Sequence, residues 1–244
     1  MAPSTHPNSA MLLAAGLGTR MRPLTFKKPK PLIEVAGRPM IDHLLLLLEK
    51  AQVDSVVVNM HHLAEQMEQH LADHVAGRRS PTVILSDERE ELLDSGGGIK
   101  KALPHLGQKP FFVLNGDSFW VDGPRANLTR LASFWDGQQM DILLLVANGA
   151  QATGYEGLGD FTMTQDGRLH WRVERQVAPF IYAGVGIIKP ELFDAMPEGA
   201  FSLTRLFREA QAKGRLFGLR LDGGWLHVGT PEAIALAEAK LSES

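Results

Sequence analysis

Short, nearly unbroken apolar runs alternate with longer segments of mixed polarity along the first 150 residues. The runs at 10–14, 55–59, 82–86, 111–115 and 141–146 are mostly rich in Val, Ile, Leu or Phe. That pattern predicts strands buried on both faces. Between them, 40–51, 63–74, a stretch after Gly98 and 125–134 carry apolar residues at helical spacing. Strand–helix alternation of this kind predicts an α/β fold with a single doubly wound, mostly parallel sheet covered on both faces. The texture changes near Gly149. Gly154, Gly157, Gly159 and Gly167 punctuate shorter strand candidates near Phe161, Trp171 and 184–188, which predicts a smaller antiparallel subregion. Helical patterns return at 202–213 and 231–241. No Pro-, Gly- or Ser-rich linker and no repeat divides the chain, so one domain is expected over 1–244, in two halves of about 10–148 and 149–244. Doubly wound sheets take their ligands beyond the carboxyl ends of the strands, which directs attention to the loops after them.

The loop after the first predicted strand reads Leu13-Ala14-Ala15-Gly16-Leu17-Gly18-Thr19-Arg20-Met21-Arg22-Pro23. Two glycines there let backbone amides wrap a phosphate, and an arginine on the same loop adds charge-assisted hydrogen bonds. A dinucleotide fingerprint fits less well, because its third glycine is replaced by Met21 and the second strand ends on Asn59 and His61 instead of an acid. The lysine of a Walker A loop is absent. Farther on, Lys28-Pro29-Lys30-Pro31-Leu32 alternates Lys with Pro, which predicts a stiff, strand-like arm or, alternatively, a solvated basic loop.

Charge sharpens this picture. The chain has 244 residues and a net charge of −3, yet its first acid is Glu34, preceded by Arg20, Arg22, Lys27, Lys28 and Lys30. The balance argues against nucleic-acid and anionic-membrane partners, whereas a local cluster suits one small, highly charged anion. Apolar content of 44% and charged content of 22% are ordinary for a globular chain. With no cysteine, disulfides, Cys-ligated metals and thiol nucleophiles are excluded. The apolar run at 44–48 is far below the ~20 residues of a membrane span, and the first residues lack a signal-peptide pattern, so a cytoplasmic location is expected. No G-x-S-x-G elbow points to a hydrolase. The four tryptophans, Trp120, Trp135, Trp171 and Trp225, read as core or rim residues.

The combination L-A-A-G-x-G-T-R-M-x-P-L-T, then K-P-K-P-L, then G-R-P-M resembles the sugar-phosphate nucleotidyltransferases, the pyrophosphorylases that make nucleotide-sugars. The resemblance is most specific over 11–41 and traceable over most of the chain. It implies a Rossmann-like sheet with a nucleotide-binding first half and a sugar-binding second half. It also implies that Leu13, Ala14, Ala15, Gly16, Gly18, Thr19 and Arg20 hold the nucleotide and that Lys30 contacts phosphate. Leu93-Asp94-Ser95-Gly96-Gly97-Gly98 resembles the family's L-E-T-G-G element, which implies Asp94, Gly96 and Gly97 near the base. A helix-start glycine cluster is the structural alternative. Asn115-Gly116-Asp117 resembles the family's strand-end G-D, implying Mg²⁺ or Mn²⁺ on Asp117 and substrate on Asn115. The implied catalytic set is Arg20, Lys30 and Asp117.

For the acceptor sugar phosphate, the resemblance implies Asn115, Asp160 of Leu158-Gly159-Asp160-Phe161, Glu174 and Arg175 of Val173-Glu174-Arg175, and Gly184. Structural turns or surface pairs are the alternative for the last four. One position departs from the family pattern: Trp225-Leu226-His227-Val228-Gly229-Thr230 stands where W-x-D-V-G-T supplies a second metal-binding aspartate. Imidazole is a poorer magnesium partner than carboxylate. His227 could ligate the metal, could contact phosphate when protonated, or could leave the task to Asp222 or water. The short chain, the L-D-S-G-G-G element and the L-G-D-F element resemble the family's muramic-acid branch, implying UTP and N-acetylmuramate 1-phosphate. Mannose or heptose 1-phosphate with GTP remains the alternative, and a non-catalytic regulatory homologue is the alternative of another class. A monomer and a homodimer are both compatible with this.

Overall fold

The computed structural model describes residues 6–75, 81–149 and 152–243. Five strands match the apolar runs: β1 (Ser9–Leu13), β4 (Ser55–Met60), β5 (Thr82–Asp87), β6 (Phe111–Asn115) and β8 (Ile142–Asn148). With β9 (Phe161–Met163), β10 (Leu169–Trp171), β11 (Phe180–Ile188) and β12 (Leu216–Arg220) they form one nine-stranded sheet. Pairings β6–β1, β1–β4, β4–β5 and β8–β12 are parallel. The antiparallel strand β11 runs between β6 and β8 and pairs with β9 at Phe180. Thus a strand of the second half is inserted into the sheet begun by the first.

Both sheet faces are covered, which is why the central strands read as continuous apolar runs. In β1, Ala10 and Leu12 enter one core and Met11 enters the other. The first core takes Leu44, Leu45 and Leu48 of α1 (Met40–Lys50), Met67 and Leu71 of α2 (Ala64–Val75), and Leu128 and Leu131 of α4 (Asn127–Phe134). The second takes Ile99 and Ala102 of α3 (Asp94–Leu106), and Leu206, Phe207 and Ala210 of α5 (Thr204–Ala212). The terminal helix is α6 (Pro231–Ser242). Trp120, Trp135 and Trp225 are buried, as the sequence leads one to expect. Among the described residues no helix is long and apolar enough to cross a membrane.

Three local features differ from the sequence reading. The Lys-Pro arm is not extended at Lys30: after an extended Pro29, Lys30–Leu32 forms a 3-10 turn that buries Pro31 and Leu32. Helix α3 begins at Asp94 and therefore contains Gly96, Gly97 and Gly98. A Cβ at Gly96 would overlap the Phe201 ring, one at Gly97 the Gly199 carbonyl, and one at Gly98 would lie 2.6 Å from Glu88 Oε1. Close packing thus selects glycines that helix propensity disfavours. Finally, a two-stranded ribbon of β7 (Ser118–Asp122) and β13 (Gly223–His227) follows the Gly-Asp turn, and a small hairpin joins β2 (Glu34–Val35) to β3 (Arg38–Pro39).

Candidate active site

Beyond the carboxyl ends of β1 and β6 lies a cavity of ≈ 550 Å³. Leu13, Ala14, Ala15, Gly16, Gly18, Thr19 and Arg20 form one wall, with Lys30 beside them. No helix follows the loop directly, since 19–21 make only a 3-10 turn, so a dinucleotide fold is not built here. Gly18 has φ +59°, and a Cβ there would lie 2.7 Å from Thr25 Cγ2. The buried Thr25 holds this conformation by donating from Oγ1 to the Gly18 carbonyl at 2.9 Å. A histidine that carries no chemistry in the sequence reading steadies the same turn: His62 Nε2 lies 2.7 Å from the Thr25 carbonyl oxygen.

Lys30 and Asp117 meet at the cavity floor. Lys30 Nζ donates to Asp117 Oδ2 at 3.1 Å, joining residues 87 apart in sequence. Burial opposes ionisation of Asp117, but the Lys30 cation, His227 and Arg20 outweigh it and hold its carboxyl below the ordinary range. Asn115 and Asp94 also line the cavity. Of the five cations that precede the first acid, only Arg20 and Lys30 line it. Lys28 instead pairs with Glu34 at 3.2 Å, and Arg22 lies over the Phe26 ring.

Gly96 and Gly97 do not line the cavity. Their N–H groups both donate to the Phe201 carbonyl, and their bare Cα faces pack against 199–201. Leu92 and Ser95 line the wall in their place, with Asp94 in the left-handed region at φ +58°. Asp is one of the few non-glycine residues that tolerates this region.

The sequence reading missed a buried pair that itself lines the cavity. Asn59 Oδ1 accepts the Ala14 N–H at 2.7 Å, while Asn59 Nδ2 donates to Glu88 Oε1 at 2.8 Å. Glu88 Oε2 accepts the Leu93 N–H at 3.1 Å. Both residues are buried, and together they tie the glycine loop to the start of α3. The only sequence signal was two polar residues next to otherwise apolar strand ends. Replacing Glu88 by Ala would leave the Asn59 amide and the Leu93 N–H without their acceptor, a cost of about 1–3 kcal/mol for each buried unsatisfied group. Urea unfolding of Glu88→Ala should show a loss of about 2–6 kcal/mol for the two groups together, with a raised KM for the nucleotide; unchanged stability would refute this role.

Asp222 does not stand in for a second metal-binding carboxylate. It precedes β13, at the far end of the ribbon from His227, where its N–H and carbonyl bond Asn127. Five residue steps at ~3.3 Å each separate the two positions. His227 instead borders Asp117, for Val228 N–H donates to the Asp117 carbonyl at 3.0 Å. Burial lowers the imidazole pKa, reinforced by Lys30 and Arg20 and only partly offset by Asp117, so its lone pair is available. One carboxylate and one neutral imidazole fit a divalent cation whose other ligands are phosphate oxygens and water. Among the described residues no cluster of three or more His, Asp or Glu side chains offers a closed metal cage.

The acceptor candidates are not brought together. Gly184 lies buried at a bulge in β11 with φ +82°, against Asn115 and Ser118, where a Cβ would overlap Ser118 Oγ. Asp160 Oδ2 accepts the Tyr182 N–H at 2.9 Å. Glu174 and Arg175 project into solvent, their side chains 89% and 91% exposed, and neither lines the cavity. The V-E-R element is an exposed turn, with Val173 62% exposed.

A family model described as nucleotidyl transferase matches residues 9–244. The chain is 44% identical to N-acetylmuramate alpha-1-phosphate uridylyltransferase of Caulobacter vibrioides, over 99% of this chain and 100% of that protein. It is 38% identical to the protein of the same name from Neisseria meningitidis serogroup B, over 94% and 98%. A UDP-glucose pyrophosphorylase crystallised with UDP-glucose superimposes with a TM-score of 0.76 at 15% identity, covering 98% of this chain and 100% of that one; the likeness is one of fold.

Proposed function

The chain belongs to the nucleotidyl transferase family, and on that premise we propose that it joins a sugar 1-phosphate to UTP with release of pyrophosphate, N-acetylmuramate 1-phosphate being the acceptor. The two full-length relatives named for that reaction support the substrate pair. The observation that carries the reading is the convergence of Arg20, Lys30 and Asp117 on one cavity behind a glycine loop. No side-chain nucleophile is required there. An oxygen of the sugar phosphate attacks the α-phosphorus, the new P–O bond forms, and the bond to the β-phosphate oxygen breaks with its electron pair leaving on pyrophosphate. A sugar phosphate is largely dianionic at neutral pH, so the attacking oxygen needs no general base.

The work left to the protein is alignment and charge neutralisation. Amides of the glycine loop and the Arg20 guanidinium hold the triphosphate, while Asn59 consumes the Ala14 amide to fix the loop. In the free protein the Lys30 ammonium rests on the Asp117 carboxylate. When substrate binds, Lys30 turns from Asp117 to phosphate oxygens and places positive charge where it develops. Asp117 and His227 would hold Mg²⁺ or Mn²⁺, which when bound supplies further charge neutralisation on the phosphates. The same reading puts the protein in the cytoplasm, in recycling of cell-wall sugars.

Pyrophosphate release, measured with four nucleoside triphosphates and a panel of sugar 1-phosphates with and without divalent metal, tests the proposal. UTP with N-acetylmuramate 1-phosphate should turn over fastest, and only with metal. Preferred turnover of GTP with mannose or heptose 1-phosphate would overturn the substrates, and silence with retained nucleotide binding would overturn the reaction.

A further inference from the structure

One wall of the acceptor half carries a charge that nothing above uses. Strands β9 and β10 pair antiparallel with Phe161 opposite Trp171, which sets Asp160 opposite Arg172 on the neighbouring face. The Arg172 N–H donates to the Asp160 carbonyl at 2.8 Å, confirming the register. Yet the two side chains are not an ion pair. The Asp160 carboxylate is drawn to the β11 backbone by the Tyr182 N–H. Among the described residues the half-buried Arg172 guanidinium has neither a carboxylate at ion-pair distance nor a hydrogen-bond acceptor, although it acts electrostatically on Asp160 and Tyr155. A half-buried cation without a partner is costly unless an anion arrives to meet it.

The wall leads from Arg172 to the reacting end. Tyr155 lies near Gly159 and Asp160, and both the Asp160 carboxylate and the Arg172 guanidinium act electrostatically on its hydroxyl. Its ring meets the His227 ring edge-on at a centroid distance of 6.4 Å. His227 in turn borders Asp117. An acceptor whose phosphate lies at Lys30 and Asp117 would therefore extend its sugar along Tyr155 toward Arg172. We infer that Arg172 is a specificity residue that binds a second anionic group on the sugar, distinct from the transferred phosphate. The assignment rests on the proposed reaction: the acceptor it names, N-acetylmuramate 1-phosphate, carries a lactyl carboxylate on its ring, whereas N-acetylglucosamine 1-phosphate has a hydroxyl in that place. A guanidinium can take such a carboxylate bidentately, which a lysine cannot.

The test compares kcat/KM for these two acceptors with UTP in wild type, Arg172→Gln and Arg172→Lys. The ratio favouring the muramate acceptor should fall at least about 10-fold in Arg172→Gln, through KM, since a hydrogen-bonded charge pair is lost in ground and transition states alike. Arg172→Lys should recover part of it. N-acetylglucosamine 1-phosphate turnover should stay within about 2-fold, which also shows that the variants fold. An equal loss for both acceptors, or an unchanged ratio, would overturn the Arg172 assignment while leaving the reaction standing. Silence of the wild type with both acceptors would overturn the proposed reaction and this assignment with it.

Discussion

Lys30→Ala should lower kcat for pyrophosphate release by at least ~10², the size of effect seen when one preorganised donor to developing charge is removed. The lysine is 11% exposed at its side chain and is held in place by the turn that buries Pro31 and Leu32, so its ammonium is positioned before substrate arrives. Solvent replaces such a charge poorly, because a water dipole must reorganise during the reaction whereas the ammonium is already aimed. The loss should appear in kcat more than in the KM for UTP, since the glycine loop and Arg20 remain. A variant that turns over within a few-fold of wild type in steady-state assays would remove Lys30 from the mechanism.

A loss of similar size is expected for Asp117→Asn, by a different route. The substitution preserves shape and keeps an oxygen for the Lys30 ammonium, which lies 3.1 Å from Oδ2 in the native protein. It deletes the negative charge that would complete the proposed cation site with His227. Activity should therefore fall at least ~10² at saturating substrates and be regained only in part at high metal concentration. Because Lys30, His227 and Arg20 hold the Asp117 carboxyl below its ordinary range, its charge also stabilises the fold, so the thermal midpoint should fall, while the activity loss should persist at temperatures where the variant is fully folded. Lost stability in proportion to lost activity would make Asp117 a structural residue. On the proposed reaction Lys30 and Asp117 act on the same phosphates, so the double variant should lose less than the product of the two single losses.

Much of the site was legible because its parts are contiguous. The glycine loop, Arg20 and Lys30 lie within residues 13–30, at the end of a strand whose apolar run is unmistakable. Asp117 follows another such strand by two residues. The glycines after Asp94 were legible as glycines but not as to purpose: they are bare so that Phe201, Gly199 and Glu88 can approach α3. Likewise, V-E-R reads as a binding element, yet Glu174 and Arg175 stand in solvent.

By itself the sequence determined the alternation of buried strands and amphipathic helices, the glycine loop after the first strand, its nearby cations and the family likeness. These depend on residues near one another in the chain, where period and spacing carry the information. Only the tertiary structure decided that Asn59 and Glu88, 29 residues apart, brace the loop, that His227 and not Asp222 borders Asp117, and that among the described residues Arg172 has no ion-pair or hydrogen-bond partner for its guanidinium beside Asp160. Periodicity tells which face of a strand a residue occupies. It does not tell which distant segment will lie against that face, and a buried polar group is defined by that partner.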